Sequence, residues 1–387
     1  MKKTFFIPLL VNLSIPLGGM SSDIYLPSLP SMSTYFHSSD TLIQLTITLF
    51  TLGLGFGQLI SGPISDAIGR KKLFVFGLAL QLLSLFCIVN LNSIYLFILI
   101  RFFQGVGAAF MMVTARAMLN DTFHGTELKK QYTYMTASFA LGPIVAPFLG
   151  GYLEHYFGWK SNFYFISIYD AIVFVAAMFF LKETLMTKKV FSTAHVFESY
   201  ASVLSSRFFT GSGIMIGLFF SYMALFNVVG PFLIQKLFEE SAIYYGYVAL
   251  CMGAAWFTGN IISRFLIHTS ILLRTKIAFF IMLTNAGIMF LLSFLPIHIY
   301  FLILPVLVMM MLGGFLFSTY ASECLSLFKE QAASANGLLF SMIWIIFSLF
   351  TFIGAIISAS SLFPIASCFL GLALLIFIWF KFVVKNA

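Results

Sequence analysis

Gly18-Gly19-Met20-Ser21-Ser22-Asp23-Ile24-Tyr25-Leu26-Pro27-Ser28-Leu29-Pro30 is the stretch on which the reading of this chain turns. An apolar run beginning at Phe5 leads into it, and no charge interrupts that run until Asp23. About 20 consecutive apolar residues suffice to cross the hydrocarbon core of a bilayer as a helix. Asp23 is therefore expected inside a spanning helix, about five turns from its start at 3.6 residues per turn. An ionised carboxylate at that depth costs roughly 2.5–3.5 kcal/mol on insertion scales, and chains keep one where it faces a partner charge or a water-filled cavity. The alternative is a helix end at the headgroup level, with Pro27 and Pro30 marking the exit.

Working outward, 60% of the 387 residues are hydrophobic and 9% are charged. A soluble domain carries about 25% charged residues, so an all-α polytopic membrane protein is expected. The first run is too long for a signal peptide, lacks a small-residue cleavage site and is followed by further apolar runs. The four cysteines (Cys87, Cys251, Cys324, Cys368) fall in or beside apolar runs and show no metal-ligand spacing. Neither a disulfide framework nor a metal site is expected.

Twelve apolar stretches can be marked: 5–30, 42–64, 72–92, 94–116, 132–154, 162–182, 208–233, 244–266, 276–296, 298–322, 335–358 and 361–383. The polar stretch after Lys182 divides them six and six. The expected units are a six-helix bundle over 1–182, a cytoplasmic loop over 183–207 and a second bundle over 208–387. With the N-terminus in the cytoplasm, inner loops and helix ends collect Lys2, Lys3, Arg70, Lys71, Lys72, Arg116, Lys129, Lys130, Lys182, Lys188, Lys189, Arg207, Arg264, Arg274, Lys276, Lys329, Lys381 and Lys385. The outer side receives Lys160 and Lys236, and Arg101 falls inside a span. This asymmetry predicts both termini in the cytoplasm. It also explains the net charge of +8 better than a nucleic-acid partner does. A weak repeat links the loop after the second span, Gly62 to Lys72, with the loop after the eighth, Gly259 to Arg264. Duplicated bundles rocking about a central site fit that pattern.

Gly62-Pro63-Ile64-Ser65-Asp66-Ala67-Ile68-Gly69-Arg70-Lys71-Lys72 resembles the signature loop between the second and third helices of the major facilitator superfamily. Arg101-Phe102-Phe103-Gln104-Gly105-Val106-Gly107 is similar to the family's fourth-helix motif. Gly142, Pro147, Gly150 and Gly151 match the fifth-helix motif associated with antiporters, with Ala146 where a glycine is usual. Asp23-x-Tyr25-Leu26-Pro27-x-x-Pro30 is similar to the first helix of the chloramphenicol and bicyclomycin resistance branch of proton-linked drug exporters. Gly313-Gly314, Ser318 to Ala321, Ser326 to Glu330 and Ala335-Asn336-Gly337 resemble that branch's tenth and eleventh helices. The resemblance implies twelve transmembrane helices in two six-helix bundles. It also implies a contact between the signature loop and the span starting near Asn336.

Each motif has a physical reading beside the resemblance. Gly62 and Gly69 permit a tight turn. Asp66 can bond Arg70 and face the positive end of a neighbouring helix, giving a cytoplasmic gate; the plainer alternative is an ordinary basic loop. Arg101 cannot be neutralised physiologically, so moving Asp23 toward or away from it would make the acid release or take up a proton. Gln104 shares its face. The alternative for Arg101 is a static bridge between helices. Gly142, Pro147, Gly150 and Gly151 read either as a hinge or as small-residue packing. Asp170 and Glu323 are possible second acids, although Glu323 can equally reach the inner interface. The six histidines fall mostly at span ends and receive no role.

No GxxxxGK[ST] loop, G-x-S-x-G elbow or HExxH helix is present, so neither direct ATP drive nor these hydrolytic chemistries are supported. The expected function is proton-coupled secondary export of drug-like amphipathic or cationic molecules across a bacterial inner membrane. Asp23, Tyr25, Arg101 and Gln104 would form the coupling site, without cofactor or metal, in a monomer whose partners are substrate, protons and lipid. Export of one native metabolite or siderophore-like compound is the rival within the class. A membrane sensor or embedded enzyme is the rival outside it.

Overall fold

Pro27 decides where the first helix ends. A proline cannot donate to the carbonyl four residues earlier, and its ring strikes that carbonyl. In the computed structural model α1 (Phe6–Asp23) accordingly stops four residues before Pro27. The chain then passes through Ile24 and Tyr25 into one 3-10 turn, Leu26–Ser28, and a short α2 (Leu29–Tyr35). This corrects the uninterrupted first span. Asp23 does lie at a helix end, but an enclosed one, because every residue from Ile24 to Pro30 is buried.

The structure describes residues 6–188, 192–328 and 332–384. Lys2, Lys3, Lys189, Lys329, Glu330 and Lys385 lie outside the described residues, as does the side chain of His195. The chain continues as α3 (Asp40–Ile68), α4 (Arg70–Asn90), α5 (Ile94–Thr122), α6 (Gly125–Phe157) and α7 (Lys160–Phe180). A short α8 (Thr193–Leu204) lies in the stretch expected as a loop. It is followed by α9 (Arg207–Phe232), α10 (Ala242–Phe265), α11 (Ile271–Leu292), α12 (Tyr300–Ser326), α13 (Ala332–Ile356) and α14 (Phe363–Trp379). Serine hydroxyls cap several starts: Ser39, Ser206, Ser241 and Ser270 each accept an N–H from the first turn of α3, α9, α10 and α11. Among the described residues there is no strand, and 10 helices are long and apolar enough to cross a membrane. α1 and α10, diluted by Gly, Ser, Asn and Tyr, bring the long helices onto the expected apolar stretches.

Two glycine clasps fix the packing. A Cβ on Gly53 of α3 would overlap the Phe102 carbonyl of α5, and one on Gly105 would overlap the Phe50 carbonyl of α3. In the second half Gly259 of α10 sits on the Met311 carbonyl and Gly314 of α12 on the Trp256 carbonyl in the same way. Small residues that let backbones approach hold helices together in lipid, where no hydrophobic drive exists between them.

The halves meet where α3 packs on α13 and α6 on α10. α6 runs unbroken through Pro143 and Pro147 between α1 and α10. Gly142 faces the Pro16 carbonyl (2.9 Å from a built Cβ), Gly150 the Ile24 carbonyl, and Gly151 the Ala242 carbonyl (2.6 Å). These glycines are close-packing points in this conformation. At one end of the bundle gather Arg70, Lys71, Lys72, Arg116, Lys129, Lys130, Lys182, Lys188, Arg207, Arg264, Arg274, Lys276 and Lys381, hereafter the basic end. Lys160 and Lys236 lie at the other.

Candidate functional site

Arg101 lies seven residues into α5, about 10 Å from its start at 1.5 Å per residue. It is fully buried. The Gly53–Gly105 clasp presses α5 against α3 at this level and brings the guanidinium beside Thr46 and Phe50. Nη1 donates to the Ser21 carbonyl at 2.9 Å and to Gln104 Oε1 at 2.7 Å, while Nε donates to the Thr46 carbonyl at 3.4 Å. The cation also rests on two aromatic faces, 4.5 Å from the Tyr25 centroid and 4.3 Å from that of Phe50. Desolvated cation–π contacts contribute about 2 kcal/mol. The Tyr25 hydroxyl shares a hydrogen bond of 3.0 Å with Thr46 Oγ1.

Asp23 follows two residues after the carbonyl that Arg101 holds. Its Oδ1 accepts from Ser22 Oγ at 2.7 Å, and 7% of the residue stays accessible. Asp23 and Arg101 form no ion pair with each other. The structure thus brings Asp23, Tyr25, Arg101 and Gln104 into one buried cluster. The Nε and Nη1 groups of the cation are held by neutral acceptors, Nη2 is buried without a hydrogen-bond partner, and the acid lies beside it. Polar interactions extend from the cluster to the α1 break: Asn162 Nδ2 donates to Ser28 Oγ at 2.8 Å, and Gln235 Nε2, from the other half, donates to the Pro27 carbonyl at 2.8 Å.

The remaining acids separate. Asp170 on α7 is fully buried, and neither carboxylate oxygen has a hydrogen-bond partner. Glu323 on α12 is exposed near the basic end, apart from the cluster.

The signature loop forms a compact ionic knot. Arg70 Nη1 meets Asp66 at 2.5 Å and Ser65 Oγ at 2.9 Å, and Nε meets Asp121 of α5 at 3.0 Å. Glu183 accepts the main-chain N–H groups of Arg70 (2.9 Å) and Lys71 (3.3 Å), so its charge faces the positive start of α4. Gly69 makes the turn with φ +112°, a region that disfavours side chains. Gly62 does not contribute to the turn, in contrast to the sequence reading. It lies inside α3, which runs on to Ile68, with open space around it. Asn336 accepts from Arg116 Nη1 across the halves at 3.0 Å, and the Arg116 guanidinium lies 4.7 Å from the Phe340 centroid.

Sequence reasoning missed Thr46, Phe50, Asp121 and Glu183, which carry no motif and are recruited by proximity. It also missed Tyr245 of α10, a buried phenol without a hydrogen-bond partner. Ala242 and Gly246 near it lie against Gly151 and Pro147 of α6.

The model of the Major Facilitator Superfamily matches residues 13–351. The chain belongs to the major facilitator superfamily. It is a multi-pass membrane transporter of this superfamily, not an enzyme. An uncharacterized MFS-type transporter, YdgK, of Bacillus subtilis is 32% identical over 288 residues, 71% of this chain and 70% of that protein. A bicyclomycin resistance protein homolog of Haemophilus influenzae is 34% identical over 183 residues, covering 47% of this chain and 46% of the relative. The multidrug transporter MdfA of Yersinia pestis is 24% identical over 67% of this chain and 64% of its own length. Among solved structures, the D-xylose-proton symporter superposes with a TM-score of 0.72 at 15% identity, covering 98% of each chain. The nucleoside transporter NupG gives 0.74 at 13%, covering 97% of this chain and 99% of that one. At these identities the likeness is one of fold.

Proposed function

We propose that this superfamily member is a proton-coupled exporter of amphipathic or cationic small molecules, working by alternating access in a bacterial inner membrane. The observation that carries the reading is Arg101 beside an acid it does not pair with. Its guanidinium is held by Gln104, by the Thr46 carbonyl and by the carbonyl of Ser21, which stands two residues before Asp23 on α1. A tilt of the halves that moved Arg101 from the Ser21 carbonyl onto the Asp23 carboxylate would displace a proton to one compartment. The reverse tilt would free the carboxylate to bind a proton from the other. Names of relatives that include bicyclomycin resistance and multidrug transport support drug-like cargo.

In this reading the basic end faces the cytoplasm, following the excess of Lys and Arg there. The units 1–182 and 208–387 tilt about the α3–α13 and α6–α10 contacts, with 183–207 joining them. Gly142, Pro147, Gly150 and Gly151 are the surface along which α6 slides or bends, and the Asp66–Arg70–Asp121 knot closes the cytoplasmic side. Asp170 is the second proton-binding acid. Glu323 has no part in coupling. The protein acts as a monomer. Each proton entering gains about 2.3 kcal/mol per 100 mV.

The test is uptake of a lipophilic dye by inverted vesicles. Asp23→Asn is expected to abolish uptake driven by a pH gradient while the protein stays inserted. Wild-type, gradient-dependent uptake by that variant removes Asp23 from the mechanism.

A further inference from the structure

Pro63 sits inside α3 and has no N–H to offer the Leu59 carbonyl four residues earlier. That carbonyl is occupied all the same: the Tyr200 hydroxyl of α8 donates to it at 2.6 Å. α8 is built for the position. Val196, Ser199, Tyr200 and Val203, at helical spacing, turn inward, while Phe197, Ala201 and Ser202 between them are exposed. Ser199 Oγ donates to Ser334 Oγ of α13 at 2.9 Å. Gly337 of α13 lies beside the phenol, at a spacing that would tolerate a side-chain carbon. A Cβ there would lie 4.0 Å from the Tyr200 hydroxyl and 3.5 Å from the Gln58 carbonyl. Burial pushes the Tyr200 phenol up to about 12, so it remains a donor throughout the neutral range.

α8 is tied to the second half twice, through its short link to α9 and through Ser334. Its bond to α3 therefore crosses between the halves at the basic end. A half-buried carbonyl deprived of its donor carries a cost when left bare, so the proline in α3 creates an acceptor that the central segment fills. We propose that α8 is a strap across this seam and that Tyr200 is its positioning residue. The bond to Leu59 favours the conformation closed at the basic end and breaks each time that end opens. The proposal rests on the alternating-access reading above and adds to it the element that sets the balance between the two conformations.

The experiment uses the full chain with its four cysteines changed to alanine and spin labels at Ile68→Cys and Ser326→Cys, at the basic ends of α3 and α12. Two distance populations are expected. Tyr200→Phe, which keeps the ring and removes only the hydroxyl, should raise the ratio of long to short distances about five-fold. Pro63→Ala restores a main-chain donor to Leu59, so adding Tyr200→Phe in that background should change the ratio by less than about two-fold. Two populations that Tyr200→Phe leaves unchanged overturn the strap while alternating access stands. An equal shift in both backgrounds overturns the role of the Pro63 gap. A single population at every pH and substrate concentration overturns alternating access and the strap with it.

Discussion

In the first half, Gly53 and Gly105 each rest on the carbonyl three residues before the other glycine; Gly259 and Gly314 do the same in the second. The shared register allows the halves to be compared position by position. Four residues before Gly105 stands Arg101, and four before Gly314 stands Met310, each buried. Seven before Gly53 stands Thr46, and seven before Gly259 stands Met252, again buried in both halves. One joint thus supports a desolvated cation with its hydrogen-bond partners on one side and two thioethers on the other. The difference teaches that the backbone frame is common property and that the charge chemistry was placed in one copy only. A flexible thioether packs against varied apolar shapes without demanding a polar partner, which suits the half that carries no charge at this level.

The largest expected effect comes from making the two joints alike. Arg101→Met should eliminate gradient-driven dye uptake, yet the protein should still insert, since the thioether needs no satisfied donors. Retained coupling in vesicle assays would break the comparison outright. Next come the clasps themselves. Gly105→Ala and Gly314→Ala each drive a methyl into a carbonyl, and overpacking of this kind costs about 1–3 kcal/mol. Thermal unfolding in detergent should fall by similar amounts for both, while only the Gly105 variant should also shift the pH dependence of uptake, because only that clasp positions Arg101. Equal pH profiles for the two variants would show that the halves do not divide the work. The smallest effect is reserved for the exposed link at the far end, where Lys236 Nζ bonds Asp40 at 2.8 Å with both side chains about half open to solvent. Such pairs contribute about 0–1 kcal/mol. Lys236→Ala should leave uptake within about two-fold of the parent, and a larger loss would mark that pair as a working gate.

The contrast between the two ends carries a second lesson. The far end is bridged by that exposed ion pair and by Gln44 donating to the Val228 carbonyl at 2.9 Å, and the basic end by Arg116–Asn336 and Tyr200–Leu59. The bridges at the basic end rely on partners that the local sequence does not advertise. Asn336 was readable as a partner for the signature loop, but the group that reaches it here is Arg116, two turns before the end of α5. Pro63 was readable as part of a motif, but the carbonyl it strands, and the tyrosine that fills it, belong to segments more than a hundred residues apart.

Sequence by itself determined that the chain spans a membrane many times, where its apolar helices fall and which loops carry the positive charge. These follow from composition and local periodicity, because a bilayer penalises charge and unpaired backbone wherever they occur. It also marked Asp23, Tyr25, Arg101 and Gln104, since a charged residue inside an apolar run stands out without any neighbour being known. Only the tertiary structure decided that the end of α1 at Asp23 is enclosed, that Arg101 rests on carbonyls and rings instead of on that acid, and that Asp170 is buried without a partner. Those outcomes depend on which helices the glycines allow to touch, and a contact between residues distant in the chain leaves no trace in the spacing of either one.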